Sequence, residues 1–327
     1  MQPYSFIPIG ALVAVVAFIV TYAFTPWLIR ALLRTSITVK DLHKKGRPDV
    51  PTMGGIGVFV GVAAALTVSG ALNLDYRFMF AIFLSGTLAA LGGIVDDLFK
   101  LSKVALVGVT LLVGLPVVAF QAGSTLVYLT PFGPKDLGWF FWALVPFAFA
   151  FLMNGVNIYS GFNGLEAGLA LVSSVSLGAC AFLYGSWESA ASLFALSGAL
   201  LAFLKWNWDP ARLLIGNSGT LLVGAIMAAS IVTGTIKVAG VIALFPYIMN
   251  FIIRAGDRFN STVADAQVLP DGRLKMIKTT ALWAVFIRRS PAPEKTVVIR
   301  CMLVQIAFGM SAVIFAYFRA NFIVPRF

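Results

Sequence analysis

Two adjacent carboxylates, Asp96 and Asp97, close the apolar run Leu91-Gly-Gly-Ile-Val-Asp-Asp-Leu-Phe-Lys100. A helix carries partial negative charge at its C-terminal end, so paired acids there call for a positive partner. A magnesium ion, which takes oxygen ligands and shares them with substrate phosphates, is one such partner; Lys100 and Lys103 are another. A solvated, lysine-paired helix end is the plain alternative, although carboxylates at a membrane edge mark functional sites by default. The second constellation is Met153-Asn-Gly-Val-Asn-Ile-Tyr-Ser-Gly-Phe-Asn-Gly-Leu-Glu166, with three glycines and three asparagines. Asn154 and Asn157 share one helix face if the helix persists. Carboxamides offer a ligand oxygen and two donors each, and Gly161 and Gly164 let a backbone approach a ligand closely. That combination suits recognition of a nucleotide; an Asn/Gly turn between two spans is the bland reading.

A third cluster, Lys205-Trp-Asn-Trp-Asp-Pro-Ala-Arg-Leu-Leu-Ile-Gly-Asn-Ser-Gly-Thr220, holds two tryptophans that read as interfacial anchors. Asn217 or Ser218 is placed to cap the following helix, whose free N–H groups suit a phosphate. The fourth, between the first two apolar runs, is Lys40-Asp-Leu-His-Lys-Lys-Gly-Arg-Pro-Asp-Val-Pro-Thr-Met-Gly-Gly-Ile-Gly57. Its basic residues suit a lipid phosphate or a nucleotide, or simply anchor the chain on the inner face. The chain's one histidine, His43, is expected to face solvent. No Walker-type glycine loop, Gly-x-Ser-x-Gly elbow or Cys/His metal spacing occurs, which removes ATP-driven pumping and serine hydrolysis.

The elements that must position these residues are membrane helices. Sixty per cent of the 327 residues are apolar and 11% charged, with a mean hydropathy of +0.93, so the bilayer is the solvent. Ten spans are expected, at 6–29, 53–72, 78–95, 104–121, 139–156, 165–184, 188–204, 214–233, 236–253 and 298–318. They form one all-α polytopic domain over 1–327, and the first run reads as a retained helix rather than a signal peptide. Nineteen of the 24 Lys and Arg residues fall on one set of loops (30–52, 96–103, 205–213 and 254–297 with Arg300), which marks that face as cytoplasmic and both termini as outside. A basic inner face accounts for the net charge of +11 without a nucleic-acid partner. The longest cytoplasmic loop, 254–297, reads as a β-hairpin about Leu269-Pro-Asp-Gly272, followed by an apolar stretch that lays Trp283 at the membrane surface. Cys180 and Cys301 imply neither a disulfide nor a metal site.

These four stretches, in this order and on one face, resemble the polyprenyl-phosphate N-acetylhexosamine-1-phosphate transferase superfamily. Lys40-Asp-Leu, Pro51-Thr-Met-Gly-Gly-Ile-Gly, the 154–166 stretch and Trp206-Asn-Trp-Asp-Pro look most like its dolichyl-phosphate GlcNAc-1-phosphate transferase branch, in archaeal form. The resemblance implies ten helices around a cytoplasmic active-site groove in a multi-pass cell-membrane enzyme. The implied reaction moves N-acetylglucosamine 1-phosphate from UDP-GlcNAc to dolichyl phosphate, releasing UMP, as a first membrane step of lipid-linked glycan synthesis. Its cofactor would be magnesium, with manganese as the alternative; pairing as a homodimer stays open.

By the same resemblance Asp96 and Asp97 lie near the metal and the lipid phosphate, Asn157 is a magnesium ligand, and Asn163 reads uracil. Lys40, Asp41, Asn154, Gly164 and Glu166 fall within motifs that bind substrate. Three departures stand out. The family's glycine-aspartate pair, whose carboxylate binds magnesium, is Gly216-Asn217 here. The expected lysine past the second aspartate falls on Leu106, leaving Lys103 as its substitute. The His/Arg-rich motif of the long loop is absent, and Arg254, Arg258 and Arg273 are the nearest basic replacements. Two competing readings are a secondary transporter of nucleotide or sugar, which would place its polar site at the bilayer midplane between internal repeats, and a catalytically inactive relative, motivated by Asn217.

Overall fold

The computed structural model describes residues 3–44, 46–70, 75–129, 133–260, 266–276 and 280–323. Helix α1 (Pro3–Arg34) leads into an antiparallel hairpin of β1 (Thr38–Lys40) and β2 (Asp49–Pro51), then α2 (Gly55–Gly70) and α3 (Tyr76–Phe99). Two shorter helices, α4 (Lys103–Leu112) and α5 (Leu115–Ala119), precede a second hairpin, β3 (Leu126–Leu129) with β4 (Gly133–Asp136). Four long helices follow: α6 (Gly138–Ile158), α7 (Leu165–Leu183), α8 (Trp187–Asn207) and α9 (Gly216–Thr233). α10 (Lys237–Ala243) and α11 (Phe245–Gly256) form a bent pair, and the long loop carries β5 (Gln267–Val268), β6 (Leu274–Lys275) and α12 (Val285–Arg288) before α13 (Glu294–Phe318).

Among the described residues seven helices are long and apolar enough to cross a membrane, and the bent pair makes an eighth if it is one span. The chain is therefore a membrane protein. Three of the expected runs are not continuous long helices. The run at 53–72 gives the 16-residue α2, with 71–72 outside the described residues. That at 104–121 divides into α4 and α5, where Pro116 lies in the first turn of α5. That at 236–253 bends by 63° between α10 and α11, with Pro246 in the first turn of α11. Hydropathy measures composition, whereas a break is set by where the backbone ladder loses an N–H, as it does at proline. Inside the bundle a broken ladder needs substitute partners; the buried Gln305 side chain supplies one, donating to Ala243 O at 2.7 Å.

α7, α8 and α9 form the centre. Of their apolar stretches 61%, 72% and 83% are buried, against 22% for α1, so the peripheral helices face lipid. At one end of the bundle the β1–β2 hairpin, the α3–α4 and α6–α7 turns, the α8–α9 loop and the long loop converge, tied by Leu214 N to Pro51 O at 2.8 Å and Gly54 N to Leu214 O at 2.9 Å. The hairpin expected in the long loop is present as two residues per strand, Gln267 opposite Lys275 and Val268 opposite Leu274, closed at Gly272 with φ +82°. Of the hairpin read from the sequence over 262–268 and 273–279, residues 262–265 and 277–279 lie outside the described residues. Trp283 corrects the surface assignment: it is 1% exposed, with its ring edge-on to Phe162 at 4.8 Å. Asn250, also buried, fastens this part of the loop by accepting from Leu282 N at 2.9 Å and donating to Ile158 O at 3.3 Å.

Candidate active site

The convergent end encloses a cavity of about 260 Å³ lined by residues of the first hairpin, the 157–166 turn and the start of α9. Lys40, Asp41, Asn157, Asn163, Glu166 and Asn217, all singled out from the sequence, line it together.

Backbone proximity builds the first wall. A Cβ on Gly93 of α3 would lie 2.4 Å from Asn217 O, so α3 and the start of α9 touch with no room for a side chain. This contact carries the acidic end of α3 onto the first turn of α9. Asp97 there acts as a cap from another helix: its Oδ1 accepts from Asn217 N at 2.8 Å and its Oδ2 from Ser218 N at 3.0 Å. Asp96 accepts from Leu101 N at 2.9 Å through Oδ1 and from the Asn217 amide through Oδ2. Helix dipole and orphan N–H groups thus offset part of the cost of burying the Asp97 carboxylate. Gly216 is required at this junction, since its φ is +69° and a Cβ would sit 2.6 Å from Asp97 Oδ2. Gly216→Ala is expected to cost about 2 kcal/mol or more from left-handed backbone strain and the clash together, read as a lowered thermal midpoint in detergent.

The second wall is the 160–164 turn. Gly161 and Gly164 have φ of +127° and +83°, and Trp208 packs against Gly164, leaving no room for a Cβ. Glu166 accepts from Gly161 N at 3.0 Å. Asn163, 4% exposed, donates its amide to Asp41 Oδ2 at 2.9 Å and its backbone N–H to Glu294 Oε1 at 2.6 Å. His43 departs from its expected exposure: it is 8% exposed, lines the cavity and packs its ring on Phe162 at 5.0 Å. Lys44 bridges Asp209 and Glu294. Burial opposes its charge, but hydrogen bonds and attraction from those two acids prevail and hold the ammonium above its ordinary range.

Other sequence candidates sit elsewhere. Asn154 turns away from the cavity and ties α6 to α4, donating to Thr110 Oγ1 at 3.0 Å and Ala150 O at 2.8 Å. Gly164 shapes the turn from behind without lining the cavity. Lys103 is the exposed first residue of α4. Arg254 lies in the last turn of α11, and Arg258 is exposed just beyond it. Arg273 pairs with Asp271 at 2.6 Å on the exposed hairpin. Among the described residues, Lys40 is the one Lys or Arg lining the cavity. Its partner there is Asp49 at 2.7 Å, an exposed pair that holds it weakly.

Sequence reasoning passed over Asn207, which stood between two tryptophans read as anchors. It is 1% exposed and lines the cavity, its Nδ2 donates to Leu213 O at 3.0 Å, and its Oδ1 has no partner. A buried acceptor left open on a cavity wall is suited to a ligand N–H or O–H.

No group of three or more His, Cys, Asp or Glu residues able to hold a metal occurs among the described residues. Among the oxygens at or beside the cavity are the carboxylates of Asp96 and Asp97 and the carboxamides of Asn157 and Asn217. Each carboxylate oxygen keeps a second lone pair beyond its one N–H partner. A mixed set of hard oxygens fits magnesium, which retains waters and shares substrate phosphate, and does not fit a thiolate- or imidazole-seeking metal.

Residues 79–235 match glycosyl transferase family 4. Two archaeal proteins named "Putative UDP-N-acetylglucosamine--dolichyl-phosphate N-acetylglucosaminephosphotransferase" are similar along most of the chain. The Saccharolobus solfataricus protein is 28% identical over 91% of this chain and 94% of its own length, and the Sulfolobus acidocaldarius protein 27% identical over 94% and 96%. The phospho-N-acetylmuramoyl-pentapeptide-transferase of Oceanobacillus iheyensis is 29% identical over 57% of this chain and 64% of its own. The family match runs from α3 to the end of α9 and so includes the paired aspartates, the asparagine turn and the Gly216-Asn217 junction: the stretch that resembles glycosyl transferase family 4 is the one that builds most of the site.

Proposed function

We propose that this chain transfers N-acetylglucosamine 1-phosphate from UDP-N-acetylglucosamine to a polyprenyl phosphate of the dolichyl type, releasing UMP. One observation carries the reading. A polar cavity walled by Asp41, Asn157, Asn163, Glu166 and Asn217 adjoins the paired Asp96 and Asp97 at one end of an apolar bundle. The relatives named for this reaction match nearly the whole chain.

The acceptor phosphate has a second pKa of about 6 and is largely a dianion at neutral pH, so no strong general base is needed. One of its oxygens attacks the β-phosphorus of the nucleotide sugar. A new P–O bond forms, the bond from β-phosphorus to the bridging oxygen breaks, and UMP leaves with that oxygen, giving a lipid diphosphate sugar. Such transfer depends on positioning and on neutralising charge. Asn163, fixed by Asp41 and Glu294, would orient the uracil. Lys40, exchanging Asp49 for a phosphate, would draw the lipid headgroup to the rim. Asp97, Asn157 and Asn217 would hold magnesium, with manganese as substitute. When bound, the ion supplies positive charge that screens the repulsion between the two anionic reactants.

The cavity end is read as cytoplasmic, with both termini outside the cell membrane, because the basic loops converge there. In this reading α2, the α4–α5 pair and the α10–α11 pair complete ten crossings. The site stands at one end of the bundle, which disfavours a midplane transport site. The purified chain given radiolabelled UDP-N-acetylglucosamine, dolichyl phosphate and magnesium should yield label extractable with lipid, and one UMP per labelled lipid. Uptake of the intact nucleotide sugar into vesicles without a lipid product would instead establish transport.

A further inference from the structure

The 160–164 turn has little stiffness of its own, because two of its residues are glycines at positive φ, whose backbone is conformationally permissive. External contacts must set its shape, and one of them arrives from 131 residues away. Glu294 is the first residue of α13 and 6% exposed. Its Oε1 accepts from Asn163 N at 2.6 Å, and its Oε2 pairs with Lys44. Lys44 in turn pairs with Asp209 in the α8–α9 loop, where Lys295 approaches at 3.7 Å. A helix N-terminus and the Lys44 ammonium offset part of the cost of burying the Glu294 carboxylate. Glu294 does not line the cavity; Asn163 does.

We propose that Glu294 is a positioning residue of the nucleotide site: anchored by Lys44, it fixes the backbone of the 160–164 turn so that Asn163 meets the ligand in one orientation. The first hairpin, the α8–α9 loop and the last helix are thereby keyed to one recognition residue. This rests on reading the cavity as the nucleotide site. Glu294 acts on ligand binding and not on the reacting phosphates, so its removal affects KM before kcat.

The test uses the full chain purified in detergent. Its readouts are UDP affinity by calorimetry, KM and kcat for UDP-N-acetylglucosamine, and hydrogen exchange in peptides covering 160–164. Glu294→Gln, which keeps size but loses charge, is expected to weaken UDP binding and raise KM about tenfold, with kcat within about threefold of wild type, from loss of one charge-assisted hydrogen bond. Exchange in the turn should quicken. Glu294→Asp retains the charge with a shorter reach and should fall between the two. If Glu294→Gln fails to accumulate as folded protein, Glu294→Asp decides: a KM raised about threefold with faster exchange supports the assignment, and wild-type values overturn it. Unchanged UDP affinity and exchange in Glu294→Gln, or a kcat loss at constant KM, likewise overturns it. A wild-type chain that binds no UDP defeats the nucleotide reading instead, and the exchange comparison then still reports whether Glu294 holds the turn.

Discussion

Asp97→Asn is expected to reduce labelled-lipid formation by about a thousandfold or more while the bundle stays folded, because in the proposed reaction the carboxylate would serve the transition state far more than it serves the fold. Its structural duty is clear: two carboxylate oxygens receive Asn217 N and Ser218 N at 2.8 and 3.0 Å. Asparagine keeps one acceptor oxygen and turns an NH2 toward the other N–H. That loss of a cap and its charge should cost about 1–2 kcal/mol of stability. A thousandfold loss of turnover is about 4 kcal/mol, too large for the cap alone. Lipid extraction assays run beside thermal unfolding separate the two. Turnover near wild type, or turnover lost only in step with unfolded protein, would leave Asp97 as a helix cap and nothing more.

The parts of this molecule legible in its sequence are those set by composition or by a short local pattern. Long apolar runs identified the seven long helices, because a bilayer selects for apolar length. The breaks inside the α4–α5 and α10–α11 runs escaped that reading, since hydropathy does not register a lost backbone N–H. The turn at 269–272 was equally local, whereas Arg273, read as a basic replacement in the long loop, turns to Asp271 two residues away. Proximity between distant segments was not legible. Asn154 and Asn157 share a motif, yet only Asn157 reaches the cavity; Asn154 spends its donor on Thr110 of α4. His43 looked solvent-facing because nothing local covers it, and its cover is Phe162, brought in by folding. Glu294 carried no signal of its own, and Lys44 read only as one of a basic run, because the two are 250 residues apart before they pair. Asn207 showed no signal beyond lying in a tryptophan-rich stretch, and its open acceptor appears only once the cavity exists.

Asn217 decides how the acidic corner of the cavity is neutralised, and Asn217→Asp exposes the answer. In the wild type the Asn217 amide donates to Asp96 Oδ2 while its backbone N–H donates to Asp97, so one residue satisfies both acids without a charge of its own. Aspartate at this position would replace a donor facing an acceptor with two facing acceptors and gather three carboxylates about one point. Like charges about 4 Å apart in a partly buried setting repel by about 4 kcal/mol at an effective dielectric of 20, so the metal-free variant is expected to melt well below wild type. Magnesium should reverse this. A cation bound only to the folded form contributes about 2.7 kcal/mol at a hundred times its Kd, and a third carboxylate should tighten that Kd by about tenfold or more. The variant's thermal midpoint is therefore expected to rise steeply with magnesium and to collapse in EDTA, while the wild type responds weakly to both. Magnesium titrations of turnover then separate two roles for the natural residue. If half-maximal activity moves to lower magnesium in the variant, Asn217 belongs to the metal site and its missing charge sets a weak affinity. If magnesium fails to restore the variant's stability, no cation sits among Asp96, Asp97 and residue 217. The Asn217 amide would then itself be the neutralising group, and a metal in this reaction would have to be held by the substrate phosphates and Asn157.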